Sequence, residues 1–326
     1  MIVVTGAAGF IGSNVVAALN ERGRTDLAVC DRLGSDQRWF NLRKRQFREF
    51  VFPEDLTAFL DGRKDIEAVI HLGANSSTTA SDGDEIMRSN FLYSLALLDW
   101  CAGRGVPLVY ASSAATYGDG SAGFGDGLDL AALRKLRPLN LYGWSKHQFD
   151  QVFAERVALG LPLPPKCIGL KFFNVFGQNE YHKGEMQSVV AKNYAVAAQG
   201  GEVKLFMSHR NDYPDGGQKR DFIYVDDVVD VVLWCLDHGP SHGLFNVGTG
   251  QAATFRELID ALFAALSRPA SVAYIPMPES LRGKYQYFTE APMNALRTAG
   301  YDRKFTPAGE AVARYVAYLS AEDRYR

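Results

Sequence analysis

Tyr142 and Lys146, four residues apart in Tyr142-Gly-Trp-Ser-Lys146, have the types and spacing from which an acid–base pair can be built. Residues i and i+4 of a helix are neighbours on one face. A free tyrosine, with a pKa of about 10, is a poor base at neutral pH; lowering that value by ~3 units takes about 4 kcal/mol of preference for the phenolate. One charge pair at ~4 Å contributes ~4 kcal/mol at an effective dielectric of about 20. A lysine cation, joined by a second cation on a reaction partner, could therefore tune the phenol. Taken alone, Y-x-x-x-K is more often a helix pair with a solvated lysine. The rest of the chain decides between these readings.

A second chemical signal opens the chain. Thr5-Gly6-Ala7-Ala8-Gly9-Phe10-Ile11-Gly12 lies between an apolar strand and a helix. Glycines at intervals of three (Gly6, Gly9, Gly12) permit a tight turn, close approach to a pyrophosphate and packing of helix on sheet, while the helix N-terminus offers N–H donors and a positive dipole end. The pattern predicts a dinucleotide site. Asp31 ends the second strand, where an acidic residue binds the adenosine ribose, and points to NAD. Arg32 and Arg38 could pair a 2′-phosphate and tilt the reading to NADP, with NAD possible; solvated loop charge is the plainer alternative, above all for Arg38. His71-Leu72-Gly73-Ala74 follows a further strand at its ligand-binding end, with small residues that let backbone approach a cofactor and with His71 read as a packed residue. Ser112-Ser113-Ala114-Ala115-Thr116-Tyr117-Gly118 follows the strand after that.

These residues need a scaffold, and the apolar pattern predicts one. Ile2–Thr5, Leu27–Cys30, Ala68–His71, Leu108–Ala111 and Cys167–Phe173 read as buried strands, alternating with helices at Phe10–Arg22, Glu85–Ala102 and Tyr142–Leu159. Beyond Asn174 the regularity fails: Gly200-Gly201 and 208–219 are loop-like, Asp221–Val225 reads as a strand before a helix through Leu236, Phe245–Gly248 as a strand, and Thr254 as the cap of a helix to about Leu266. The expectation is an α/β chain: a Rossmann-type, doubly wound parallel sheet with a smaller, discontinuous α/β substrate domain. Its boundaries are placed at 1–173 plus about 220–247 for the nucleotide-binding domain, and about 174–219 plus 248–326 for the substrate domain.

Composition bounds the rest. In 326 residues, 47% hydrophobic and 22% charged content fits an ordinary globular protein, and a net charge of −2 argues against nucleic acid or an anionic membrane as partner. Cys30, Cys101, Cys167 and Cys235 are scattered without metal-binding spacing, and Met1 runs straight into the first strand. The expectation is a cytoplasmic protein with reduced thiols and no metal.

With strand, glycine loop, serine turn and Tyr142/Lys146 in that order, the chain resembles the extended short-chain dehydrogenase/reductase superfamily over nearly its whole length. The resemblance implies that Ser113 hydrogen-bonds the reacting hydroxyl, Tyr142 exchanges its proton, and Lys146 holds the cofactor ribose and tunes Tyr142. Nucleotide-sugar dehydratases of the superfamily carry an acidic pair just after the serine; Ala114 and Ala115 stand there here, which argues against dehydration. A finer resemblance, to the ADP-L-glycero-D-manno-heptose 6-epimerases of lipopolysaccharide core biosynthesis, rests on Ser76-Ser77-Thr78-Thr79, Ala111–Gly118, Phe172-Phe173-Asn174-Val175-Phe176-Gly177, His182-Lys183-Gly184, Arg220-Asp221-Phe222 and 283–289, in that order.

That resemblance implies redox epimerisation by a tightly bound NADP, one per subunit of a homo-oligomer, with Lys183 as second base. It also implies cofactor contacts at Gly6, Gly9, Phe10, Ile11, Gly12, Asp31, Arg32, Arg38, Leu72, Gly73, Ala74, Asn75, Ser76, Asn90, Tyr142, Lys146, Val175 and Lys183. The substrate would meet Ser113, Asn174, Glu185, Lys192, Phe206, Arg220 and Tyr285, with Arg220 a natural bidentate partner for its pyrophosphate. The chain departs from its relatives at Glu185, Lys192, Asn75 and Phe52-Pro53, and its 208–219 loop is longer than in short relatives. A UDP-hexose 4-epimerase, which needs no second base, and a non-catalytic NADP-binding module are the competing readings.

Overall fold

The computed structural model describes residues 1–282 and 286–326. The short apolar runs form one seven-stranded sheet in which every pairing is parallel. In chain order its strands are β1 (Ile2–Thr5), β2 (Leu27–Cys30), β3 (Glu49–Val51), β4 (Ala68–His71), β5 (Leu108–Ser113), β6 (Cys167–Phe172) and a last strand, His242–Val247. Spatially they run His242–Val247, β6, β5, β4, β1, β2, β3. Every residue of β1, β2, β4 and β6 is buried, which is why these strands read as unbroken apolar runs rather than alternating ones.

Strand order reverses between β1 and β4, and the register there sets Thr5 beside both Cys30 and His71. The segments carrying Gly6, Asp31 and Leu72 therefore leave the sheet at one edge, the crevice where open α/β sheets bind ligands. Helix α1 (Phe10–Glu21) follows β1, and the helix Leu141–Leu159 packs on β5.

Several elements differ from the sequence expectation. The short strand β3 lacks a long apolar run and was not foreseen. The expected Asp221–Val225 strand is Phe222–Tyr224; it lies outside the large sheet and pairs in parallel with Asn174–Phe176. Strand β5 continues two residues past Ala111, so Ser113 is its last residue. The helix expected over Glu85–Ala102 contains a π turn at Met87–Leu92, a local widening that recurs at functional sites. Two further pairings, Val203–Phe206 with Val272–Ile275 and Lys219–Arg220 with Ala253–Thr254, complete the second half. Thr254 caps its helix through a reciprocal capping box with Glu257. Among the described residues no helix is long and apolar enough to cross a membrane.

Candidate active site

The glycine loop is shaped by two close approaches. Gly6 has φ +67°, and a Cβ there would lie 2.7 Å from the Gly73 nitrogen; a Cβ on Gly12 would lie 2.0 Å from the Gly6 carbonyl oxygen. Thr5 Oγ1 accepts a hydrogen bond from Gly73 N at 3.0 Å and contacts His71 Nδ1 at 2.7 Å, tying the loops after β1 and β4 together. His71 Nε2 is 2.9 Å from Ser94 Oγ, and burial pushes its pKa down to about 3, so it is a packed neutral residue. Helix α1 starts at Gly9 with no side-chain cap and no acidic residue in its first turn, which leaves its N–H groups to an anion.

Asp31 is committed to this loop: its carboxylate accepts from Ala8 N at 2.8 Å and Arg32 N at 2.7 Å, and burial raises its pKa. The two arginines differ. Arg38 is half-buried, 3.9 Å from Asp31 and clamped by Asp36, whereas Arg32 points to Glu54 at 3.0 Å on the surface. Arg38 is thus the arginine whose guanidinium lies by Asp31.

Ser113, the last residue of β5, shares a hydrogen bond with Tyr142, and Lys146 lies one turn further along the same helix. Asn140 caps the helix, its Oδ1 accepting from Gly143 N at 2.8 Å, an interaction that contributes ~1 kcal/mol. A Cβ on Gly143 would come within 2.6 Å of the Ala115 oxygen, so glycine is what lets the first turn lie against the Ser113–Tyr117 turn. Ser113 Oγ accepts from Ala115 N at 3.1 Å, which leaves its own proton available to a further acceptor. Burial raises the Tyr142 phenol, a hydrogen bond with Ser113 lowers it, and Asp150 raises it again. In the protein by itself burial dominates the phenol, and the lowering expected of Lys146 together with a second cation is not among these influences. Lys146 is 3% exposed and its ammonium, with no ion-pair partner among the described residues, is lowered to about 8 by burial.

An unpartnered buried ammonium, an uncapped helix N-terminus and glycines that a Cβ would overfill fit a dinucleotide along this crevice. Gly6, Gly9, Phe10, Ile11 and Gly12 lie in the turn after β1 and the opening of α1, Asp31 and Arg38 in the segment after β2, and Leu72, Gly73, Ala74, Asn75 and Ser76 in the loop after β4. Asn90 sits behind that loop. Its Oδ1 accepts from Asn75 N at 2.8 Å, and its amide donates to Asn75 O at 2.9 Å and Ser145 Oγ at 3.0 Å. The π turn carries this side chain; Asn90 anchors the loop to the Tyr142 helix, with both amide protons engaged.

Lys183 belongs to a different neighbourhood. Its Nζ lies 4.9 Å from the Phe10 ring centroid and 3.5 Å from Glu180 Oε2, and no contact with Tyr142 or Ser113 is present. The segment before it, Gln178-Asn179-Glu180, is fully buried, which a polar loop sequence did not suggest. Asn14 and Ser13 of α1 bind Gln178 and Asn179, while Asn41 donates to the Asn179 carbonyl. The last residues of the chain close over it: Tyr181 Oη donates to Arg324 O at 2.7 Å, Arg326 N donates to Asn179 Oδ1 at 3.1 Å, and Tyr325 stacks on Phe40.

In the second half of the chain, Lys192, Phe206, Gln218 and Phe255 line a cavity of about 280 Å³. Arg220 is buried beside it, its guanidinium 5.9 Å from the Phe255 ring and donating to the Lys219 and Gln286 carbonyls. Glu185 is exposed and pairs with Lys192 at 3.0 Å. Asn174 is exposed just past β6, with Val175 beside it. Tyr285 lies outside the described residues. Among the described residues no group of acidic, histidine and cysteine side chains could hold a metal.

The sequence profile of the NAD dependent epimerase/dehydratase family matches residues 2–248. An ADP-L-glycero-D-manno-heptose-6-epimerase of Nitratidesulfovibrio vulgaris is 47% identical over 330 residues, covering 100% of both chains. Among solved structures, the enzyme of that name from Helicobacter pylori superposes with TM-score 0.81 at 26% identity, over 98% of this chain and 96% of the other. The UDP-glucose 4-epimerase of Thermotoga maritima superposes with TM-score 0.77 at 27% identity, over 98% of each chain.

Proposed function

The chain belongs to the NAD dependent epimerase/dehydratase family, in the group of the ADP-L-glycero-D-manno-heptose-6-epimerases, and from that premise we propose that it interconverts ADP-D-glycero-D-manno-heptose and ADP-L-glycero-D-manno-heptose at C6″, for lipopolysaccharide core biosynthesis. The observation that carries the reading is the convergence of Ser113, Tyr142 and buried Lys146 beside a dinucleotide crevice, with alanines at 114 and 115 where elimination of water would need an acid and a base.

A dinucleotide held by the Gly6–Gly12 loop, Asp31, Arg38 and Lys146 would supply a hydride acceptor and donor for C6″ and a positive charge near Tyr142. Ser113 donates to the C6″ oxygen, and Tyr142 accepts the hydroxyl proton and later gives one back. Lys146 binds ribose hydroxyls; its ammonium, otherwise unpartnered, gains acceptors there. After the keto sugar turns over, Lys183 serves the opposite orientation as second proton carrier. Arg220, Lys192 and Phe206 bind the ADP part. We assign NADP as the cofactor, because Arg38 is held beside Asp31 where a 2′-phosphate would lie. A cytoplasmic homo-oligomer completes the reading, and light scattering checks the assembly.

The observation favouring a one-base UDP-hexose 4-epimerase is the placement of Lys183 over Phe10 rather than against Tyr142. Purified protein should convert ADP-heptose epimers without added cofactor and release NADP on denaturation, identified by mass spectrometry. Inertness of cofactor-loaded protein on ADP-heptose, with turnover of a UDP-hexose, selects the alternative.

A further inference from the structure

Beneath the reaction centre lies a buried ion pair that the mechanism above does not use. Asp150 and Lys171 have side chains 0% exposed and meet at 2.8 Å. The Asp150 carboxylate also accepts from Tyr110 Oη at 3.0 Å and Ser112 Oγ at 2.7 Å, both on β5. Lys171, on β6, donates in addition to Thr116 Oγ1 at 2.7 Å and lies 4.8 Å from the Tyr117 ring. Thr116 in turn donates to the Ser113 carbonyl at 2.8 Å, and Tyr117 is fixed by a hydrogen bond to Asn246.

The spacing gives this pair its meaning. Asp150 follows Tyr142 and Lys146 at successive i+4 steps on one helix face. A buried pair is rarely retained for stability alone, since apolar residues of similar volume often do as well. We propose that Asp150 and Lys171 are positioning residues for the reaction: through Thr116 and Ser112 they lock the turn carrying Ser113 to the helix carrying Tyr142 and Lys146. This rests on the reading of Tyr142 and Ser113 as the proton-handling pair.

The titratable groups facing Lys146 and Asp150 are Tyr142 and His147 on their own helix, neutral His71 from β4, Tyr110 from β5, Tyr117 from the turn after it and Lys171 from β6. Burial lowers the Lys146 pKa and Asp150 raises it, so Asp150 holds the ammonium protonated to higher pH. The test compares Thr116→Val, Lys171→Met and the charge-neutral double variant D150N/K171M, each purified with its bound dinucleotide quantified. Turnover of ADP-heptose per dinucleotide-loaded subunit should fall about 10-fold or more in all three, with KM changed less than about 3-fold. In the double variant the alkaline limb of kcat should also move down by about 1 pH unit. The double variant keeps the proposal testable if Lys171→Met fails to fold through its unpaired carboxylate. Variants that melt lower yet match wild-type kcat and pH profile per loaded subunit would overturn the proposal. Wild-type protein inert on ADP-heptose would instead overturn the assigned activity, and the pair would then be judged on the turnover of a UDP-hexose.

Discussion

Tyr142 projects from a 19-residue helix capped at Asn140, packed on β5 and stitched to it by the buried Asp150–Lys171 network. Lys183 projects from a short turn-like segment, Tyr181–Met186, which follows Asn179, bound by Ser13 of α1 and by Asn41, and whose Tyr181 donates to the Arg324 carbonyl. The first of the two proposed proton sites is thus built on repeating backbone hydrogen bonds and a register. The second is an assembly of side-chain contacts from segments far apart in sequence. A group on regular structure is held to a tight geometry, whereas one on a clasped loop can shift when a ligand arrives. A sugar that must present two faces in turn has use for one fixed base and one adjustable one.

The largest expected effect breaks the fixed side. Tyr142→Phe should lower kcat by about 10³-fold or more, with bound dinucleotide and melting temperature nearly unchanged. An active phenylalanine variant would remove Tyr142 from the chemistry. Lys183→Met should cost about 10²-fold in kcat if it carries protons. A loss under about 3-fold would reduce it to a cofactor contact and erase the two-site comparison.

Lys146 supplies a stability measurement. Its folded pKa is lowered to about 8 from 10.5, so between those values the unfolded chain binds more protons and stability rises with pH. Between pH 7.5 and 9.5 the cofactor-free wild type should gain on the order of 5 °C in melting temperature relative to Lys146→Met. Equal pH profiles would mean the ammonium is solvated. The smallest effect is expected from Tyr325→Ala, which loosens the clasp over the Lys183 segment: a few-fold rise in KM with kcat little changed. A larger loss in kcat than from Lys183→Met would make the clasp, rather than the lysine, the functional feature.

The asymmetry also governs what the sequence could disclose. Strands, the Gly6–Gly12 loop and the Tyr142/Lys146 pair are legible because each rests on a local period or spacing. Asp150 continues that spacing, and Lys171 interrupts an apolar strand, where a lysine demands a buried partner. The burial of Gln178-Asn179-Glu180 has no local signal, because their partners are distant residues of α1 and the 38–41 segment. The role of Asn90 depends on a π turn, which no apolar period announces. The phenol's raised pKa follows from burial, which spacing alone does not report.

Epimerisation by a hydride that leaves C6″ and returns is the central claim, and an isotope tests it directly. ADP-D-glycero-D-manno-heptose deuterated at C6″ would be incubated with purified, cofactor-loaded protein in ordinary water with no cofactor added. The account predicts the L-glycero epimer with the C6″ deuterium retained, because the label travels on the dinucleotide and comes back. Loss of the label to solvent, or no epimer from cofactor-loaded protein, would contradict it.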